Sequence, residues 1–113
     1  KVISGQKKAT SGDIHLAAFE GDELIGTVLL SPYDDQTMKL RQMAVDDAVQ
    51  GQGVVAQLLA AAEAEARAAD KTRITLTARV TAQPFYARNG YMAVGDAFEE
   101  VTLPHVVMQK TLT

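Results

Sequence analysis

Apolar positions change their spacing along this chain, and each change marks an element. IHLAAFE (14–20) and ELIGTVLLS (23–31) are apolar runs separated by Gly21-Asp22, a pair suited to a tight hairpin turn. The second run is apolar enough to be mostly buried. After the polar turn PYDDQ (32–36), TMKLRQMAV (37–45) alternates as a strand does. Met38, Leu40, Gln42 and Ala44 fall on one face, and Lys39, Arg41, Met43 and Val45 on the other. Beyond Gly51 and Gly53 the period lengthens. Val54, Val55, Leu58, Leu59, Ala62, Ala66 and Ala69 form one apolar helical stripe, with Glu63 and Arg67 on the polar side in the favourable acid-first order. RITLTARV (73–80) returns to period two. In TAQPFYARNG (81–90), Thr81 can cap a short helix, Pro84 fits its first turn, and Gly90 can close it in the left-handed region. The tail from Tyr91 reads as two strands around TLPH (102–105). The polar first thirteen residues, with Ser4, Gly5, Ser11 and Gly12, read as a loop.

The order is therefore three strands, helix, strand, helix, two strands. Early strands pair as hairpins, and the strand–helix–strand step across 37–80 joins parallel neighbours. The expected class is α/β (α+β): a mixed, mostly antiparallel sheet with a central parallel pair and helices packed on its faces. A length of 113 residues suits a single domain, 1–113, and an apolar share of 47% suffices for a core. The start at Lys1 without Met suggests that the domain is N-terminally incomplete. The net charge of −3 argues against a nucleic-acid partner held by a basic surface. The lack of cysteine excludes a disulfide scaffold and a thiol nucleophile, and the separation of His15 and His105 argues against a metal site. With no apolar run of transmembrane length and no visible signal peptide, the expectation is a cytoplasmic protein with no membrane partner.

QGQG (50–53) lies between a strand and a helix. A helix N-terminus presents unpaired N–H groups, and glycines there let an anion, usually phosphate, approach the backbone. The glycines could equally serve only a sharp turn. A P-loop is excluded because no Lys-Ser or Lys-Thr pair follows, and the dinucleotide motif lacks its third glycine. The wider context is more specific. MAVDDAVQGQGVVAQLL (43–59) resembles the acetyl-CoA-binding segment of the GNAT acetyltransferase superfamily, which reads Gln/Arg-x-x-Gly-x-Gly/Ala between a strand and a helix. AQPFYARNGY (82–91) is similar to that superfamily's A-x-x-F-Y-x-x-x-G-F/Y signature. TARVTAQPFY and the tail GDAFEEVTLPHVVMQKTL resemble its ElaA-like branch. The resemblance spans residue 14 to the C-terminus. Two features depart from the pattern: Val55 stands where Gly or Ala is usual, and the elements preceding residue 14 in the superfamily are not evident.

The resemblance implies an N-acetyltransferase that moves an acetyl group from acetyl-CoA to a primary amine, by direct attack through a tetrahedral oxyanion. Acetyl-CoA is the implied cosubstrate, with no metal. The pantetheine arm would pair with the strand edge at Met43, Ala44 and Val45. Gln50, Gly51, Gln52, Gly53, Val54 and Val55 would take the pyrophosphate on their N–H groups. Ala82, Phe85 and Tyr86 would border the thioester, and Arg88 would reach a phosphate or stay solvated. Tyr86 is the implied catalytic acid, because tyrosine and a thiolate titrate close enough for proton delivery to the leaving sulfur. The glutamate base of many relatives corresponds approximately to Lys39, near Arg41, and neither is a base. Asp34, Asp35, Glu99, Glu100, His105 and a water chain remain open for that role. The acceptor, an amine-bearing small molecule or peptide, is also open, as is a homodimer. The alternative from a different class is a non-catalytic acyl-CoA- or partner-binding module, motivated by Val55 and the missing glutamate. Val55 either joins the helical stripe, the expected outcome, or crowds the pyrophosphate.

Overall fold

Among the described residues, the strands form one seven-stranded sheet. The computed structural model describes residues 2–7, as backbone, and 12–112. The strands are β1 (Val2–Lys7), β2 (Ile14–Glu20), β3 (Glu23–Pro32), β4 (Thr37–Val45), β5 (Arg73–Arg79), β6 (Met92–Glu100) and β7 (Leu103–Thr111). Helix α1 is Val54–Ala68 and α2 is Gln83–Arg88. The sheet order is β1-β2-β3-β4-β5-β7-β6, with β4 and β5 parallel and the other neighbours antiparallel. This is the expected mixed α/β architecture. Among the described residues, no helix is long and apolar enough to cross a membrane.

The core lies between α1 and the sheet. Val54, Leu58, Leu59, Ala62 and Ala66 are buried on the helix, against Ile14, Leu16, Val28, Leu30, Met38, Leu40 and Ile74 on the strands. Full burial of a leucine contributes about 1.5–3 kcal/mol. The stripe differs from the expected one in three positions. Val55 is half-buried, Ala69 beyond the helix end is exposed, and Glu63 is buried at 7% exposure. Glu63 is tolerated inside because its partners come from distant chain. Tyr91 Oη donates to its Oε2 at 3.1 Å, and Lys110 Nζ pairs with its Oε1 at 3.0 Å. A paired, hydrogen-bonded carboxylate escapes most of the penalty of burial.

Four further expectations are corrected. The first thirteen residues are not all loop: Val2–Lys7 pairs with β2, from Val2↔Phe19 to Lys7↔Ile14. Its Ser4 and Gly5 thus lie in a strand, while Ser11 is outside the described residues. Thr81 does not cap α2, because a 3-10 turn over Val80–Ala82 precedes it and the N-cap is Ala82 without a side-chain bond. The final hairpin turns at Val101-Thr102, and Leu103-Pro104-His105 belong to β7. Both turn residues take positive φ, 50° and 62°, without glycine. Last, β4 does not alternate throughout. Leu30 opposes Leu40 and Gly26 opposes Val45, so the strand carries one extra residue, at a bulge where Gln42 takes φ 55°. The bulge turns Val45 onto the face of Leu40, opposite to the expected assignment. There Val45 Cγ2 joins Val54 and Leu58 of α1 around Gly26.

Candidate active site

Three irregularities meet at the C-terminal end of β4. The first is a parting of strands: β4 and β5 pair only from Thr37↔Arg73 to Lys39↔Thr75, then β5 stays with β7. The peptide groups of β4 beyond Lys39 therefore have no β5 partner. The second is the Gln42 bulge. The third is the loop between β4 and α1. Asp46 Oδ1 accepts from Ala48 N–H at 3.0 Å and starts a 3-10 turn, and Gly51 and Gly53 then adopt φ 83° and 81°. These left-handed values favour glycine over any L side chain. Gly53 is the N-cap of α1 and supplies no side-chain bond, and the first turn holds no acidic residue. The leading N–H groups of α1 thus lack intrahelical acceptors. A Cβ placed on Gly51 or Gly53 would meet nothing within 4 Å, so open space lies over this backbone.

That space is a cavity of about 480 Å³. It is lined by Met43 and Val45 of β4, Val49, Gln50, Gly51 and Gly53 of the loop, Val54, Val55 and Ala56 of α1, and Ala82, Phe85 and Tyr86 around α2. The structure thus gathers most of the expected cosubstrate residues around one cavity. Ala44 is not among them, because alternation turns it to a separate depression with Leu24, Ile25 and Asp46. Gln52 does not line the cavity either, and its N–H donates to Val49 O at 3.2 Å. Gln50 lines it, with Nε2 held by Asp47 Oδ1 at 3.0 Å. Val55 packs against the core, as the helical stripe implied, and also lines the cavity. Among the described residues, none that lines the cavity carries a charge. Arg88 is exposed and outside the cavity.

Tyr86 lines this cavity beside Phe85. Its ring is held edge-on by Phe85, at 5.3 Å between centroids, and by Tyr91, at 6.0 Å. The end of α2 fixes the position. Gly90 N–H reaches Ala87 O at 3.1 Å, Tyr91 N–H reaches Tyr86 O at 3.0 Å, and Gly90 takes φ 93°. This is the closing glycine expected from the sequence. Burial pushes the Tyr86 hydroxyl above its ordinary range, itself well above neutrality. It has no hydrogen-bond partner among the described residues.

On its other side Tyr86 borders a second cavity, of about 420 Å³, in the gap between β4 and β5. Lys39, Leu40, Arg41, Gln42 and Met43 form one wall, Leu76 and Thr77 of β5 the floor, and Glu100 and His105 the far wall. His105 Nδ1 lies 2.9 Å from Leu103 O. A carbonyl only accepts, so Nδ1 carries a proton, and in the neutral form of the ring Nε2 is the nitrogen that bears the lone pair. Of the other base candidates, Asp34, Asp35 and Glu99 line neither cavity. Asp34 accepts from Gln36 N–H at 2.9 Å in the turn before β4, a bond that holds its carboxyl below the usual range. Among the described residues no cluster of three or more metal-ligating side chains is found. The second cavity was not legible from periodicity, although Gln42, a polar residue at an apolar position, was a signal of the bulge.

An acetyltransferase (GNAT) domain model matches residues 3–112, nearly the whole chain. The chain belongs to the GNAT acetyltransferase family. As a GNAT protein it is an acetyl-CoA-dependent N-acetyltransferase by class. It is similar to a solved Lactobacillus plantarum protein assigned as an N-acetyltransferase, at 32% identity and TM-score 0.82, over 89% of this chain and 68% of that one. It is also similar to Escherichia coli ElaA, at 26% identity and TM-score 0.79, over 89% and 70% of the two chains. A GNAT acetyltransferase from Elizabethkingia anophelis, solved with acetyl-CoA bound, shares the fold at 17% identity and TM-score 0.80, over 98% and 97%.

Proposed function

We propose that this chain acetylates a primary amine by direct attack on acetyl-CoA, with the cosubstrate in the 480 Å³ cavity and the acceptor in the 420 Å³ cavity. The observation that carries this reading is that Tyr86 and Met43 line both cavities. A thioester lying along β4 would then meet an amine at the Tyr86 hydroxyl. The pantetheine amides would bond to the β4 peptide groups left free by the parting of β4 and β5. The pyrophosphate would rest on the N–H groups of Gly53 and the first turn of α1, without help from a cationic side chain.

In this mechanism the amine nitrogen adds to the thioester carbonyl and a C–N bond forms. The C–S bond breaks with its electron pair on sulfur, and Tyr86 Oη delivers its proton there. Because burial raises the proton affinity of Tyr86, its help to sulfur begins as a strong hydrogen bond, and the proton passes over only as the C–S bond breaks. The nitrogen releases its extra proton to His105 Nε2 or to water in the second cavity. Ground-state binding by backbone donors and a single proton-bearing hydroxyl leave the chemistry dependent on positioning.

The test measures melting temperature with acetyl-CoA and with free CoA, then free-thiol release with an amine panel. A stabilisation by both ligands is expected, because a ligand selective for the folded state stabilises it by mass action. No shift with either would remove the cosubstrate assignment. Binding without thiol release across the panel would instead favour the non-catalytic module.

A further inference from the structure

The second cavity is divided by charge. Its β4 wall offers Lys39 and Arg41, two residues apart on the strand and so on the same side. Its opposite wall, from the β6–β7 hairpin, offers Glu100 and His105. In the sheet order β4-β5-β7-β6, β5 lies between these walls. Neither cation has an ion-pair partner among the described residues, where the sole salt bridge is Lys110–Glu63. Neither lines the cavity proposed for the cosubstrate. Lys39 is half-buried, which a cation placed only for solubility does not require.

We infer that the acceptor is an amine that also carries a carboxylate, with the anion on Lys39 and Arg41 and the amine toward Glu100, His105 and Tyr86. The inference rests on the proposed acceptor role of this cavity. An arginine fork matches a carboxylate in geometry, and charge-assisted bonds are the stronger class. Glu100 complements the ammonium form on arrival. His105 Nε2, whose ring is fixed by Leu103 O and stacked on Phe98 at 6.3 Å between centroids, faces the nitrogen once it is neutral. A simple alkylamine would leave the β4 cations unanswered.

Matched pairs test this: γ-aminobutyrate against n-propylamine, β-alanine against ethylamine, phenylalanine against phenethylamine. Thiol release should favour the acid-bearing member of at least one pair by about tenfold or more in kcat/KM, the scale of one charged hydrogen bond. Arg41→Gln and Lys39→Gln should each reduce that preference severalfold, chiefly through KM, with acetyl-CoA affinity read in parallel as the check on folding. A second arm measures equilibrium binding of the same pairs to the CoA-loaded protein. Selective binding of the acids without thiol release supports the inference and sinks the transfer reading. Thiol release with no preference for the acids overturns the inference and leaves the transfer reading intact. A preference that survives both variants, or no binding of any acid in either arm, also overturns it.

Discussion

Gly53→Ala separates the two reasons a glycine can stand at the start of α1. Gly53 takes φ 81°, where an L side chain costs about 1–2 kcal/mol. Its added Cβ would meet nothing within 4 Å, so no packing term enters. The stability loss is therefore the backbone term alone, roughly 4–8 °C in melting temperature for a domain near this size. Affinity is a different quantity. If a phosphate rests on the N–H groups here, the methyl occupies its approach and at least one charge-assisted bond is lost. Such a bond is worth about 1.5–3 kcal/mol, which is roughly 10- to 150-fold in Kd. Calorimetric titration with acetyl-CoA, well below the melting temperature of the variant, reads the affinity, and a thermal melt reads the stability. Gly51→Ala is the companion, with φ 83° and equally open space. A variant that melts lower but binds acetyl-CoA within twofold of the parent would show that the glycines serve the turn alone.

Tyr86→Phe should keep the fold and CoA affinity while slowing turnover by about 10²–10⁴-fold, the scale of a general acid, since only a hydroxyl is lost; unchanged single-turnover rates would refute the role. Tyr91→Phe removes the donor to Glu63 Oε2 and should cost about 1.5–3 kcal/mol by denaturant unfolding, with coupling to Lys110→Met in a double-mutant cycle. Replacing Val101-Thr102 by Asn-Gly should stabilise the fold by about 1–2 kcal/mol, because both β-branched residues hold positive φ in a two-residue hairpin turn; an unchanged melting temperature would contradict this. In alkali, burial raises Tyr86, and burial beside Glu63 raises Tyr91. Both hydroxyls therefore ionise more easily in the unfolded chain. Their contribution to stability is complete below about pH 10 and falls as pH rises beyond it, and tyrosinate absorbance of these two rings should appear together with unfolding.

Local chemistry was enough to locate β2, β4, α1 and the closing glycine of α2, because period, turn pairs and positive φ are properties of short segments. The same holds for the loop at Gln50–Gly53, where two glycines before an apolar stripe already describe a strand-to-helix turn with exposed N–H groups. Period alone could not see the β4 bulge. Whether Gln42 is an ordinary strand residue or an extra one depends on the register with β3, and a shift of one residue sends every later side chain to the other face. Glu63 looked like a solvated partner of Arg67 because its real partners, Tyr91 and Lys110, are 28 and 47 residues away. A polar N-terminal segment became β1 because it pairs along the free edge of β2, and edge pairing demands no apolar pattern of its own. The second cavity was decided by tertiary structure most of all. It exists because β5 leaves β4 to follow β7, and that divergence brings Lys39, Arg41, Tyr86, Glu100 and His105, from four separate elements, around one space.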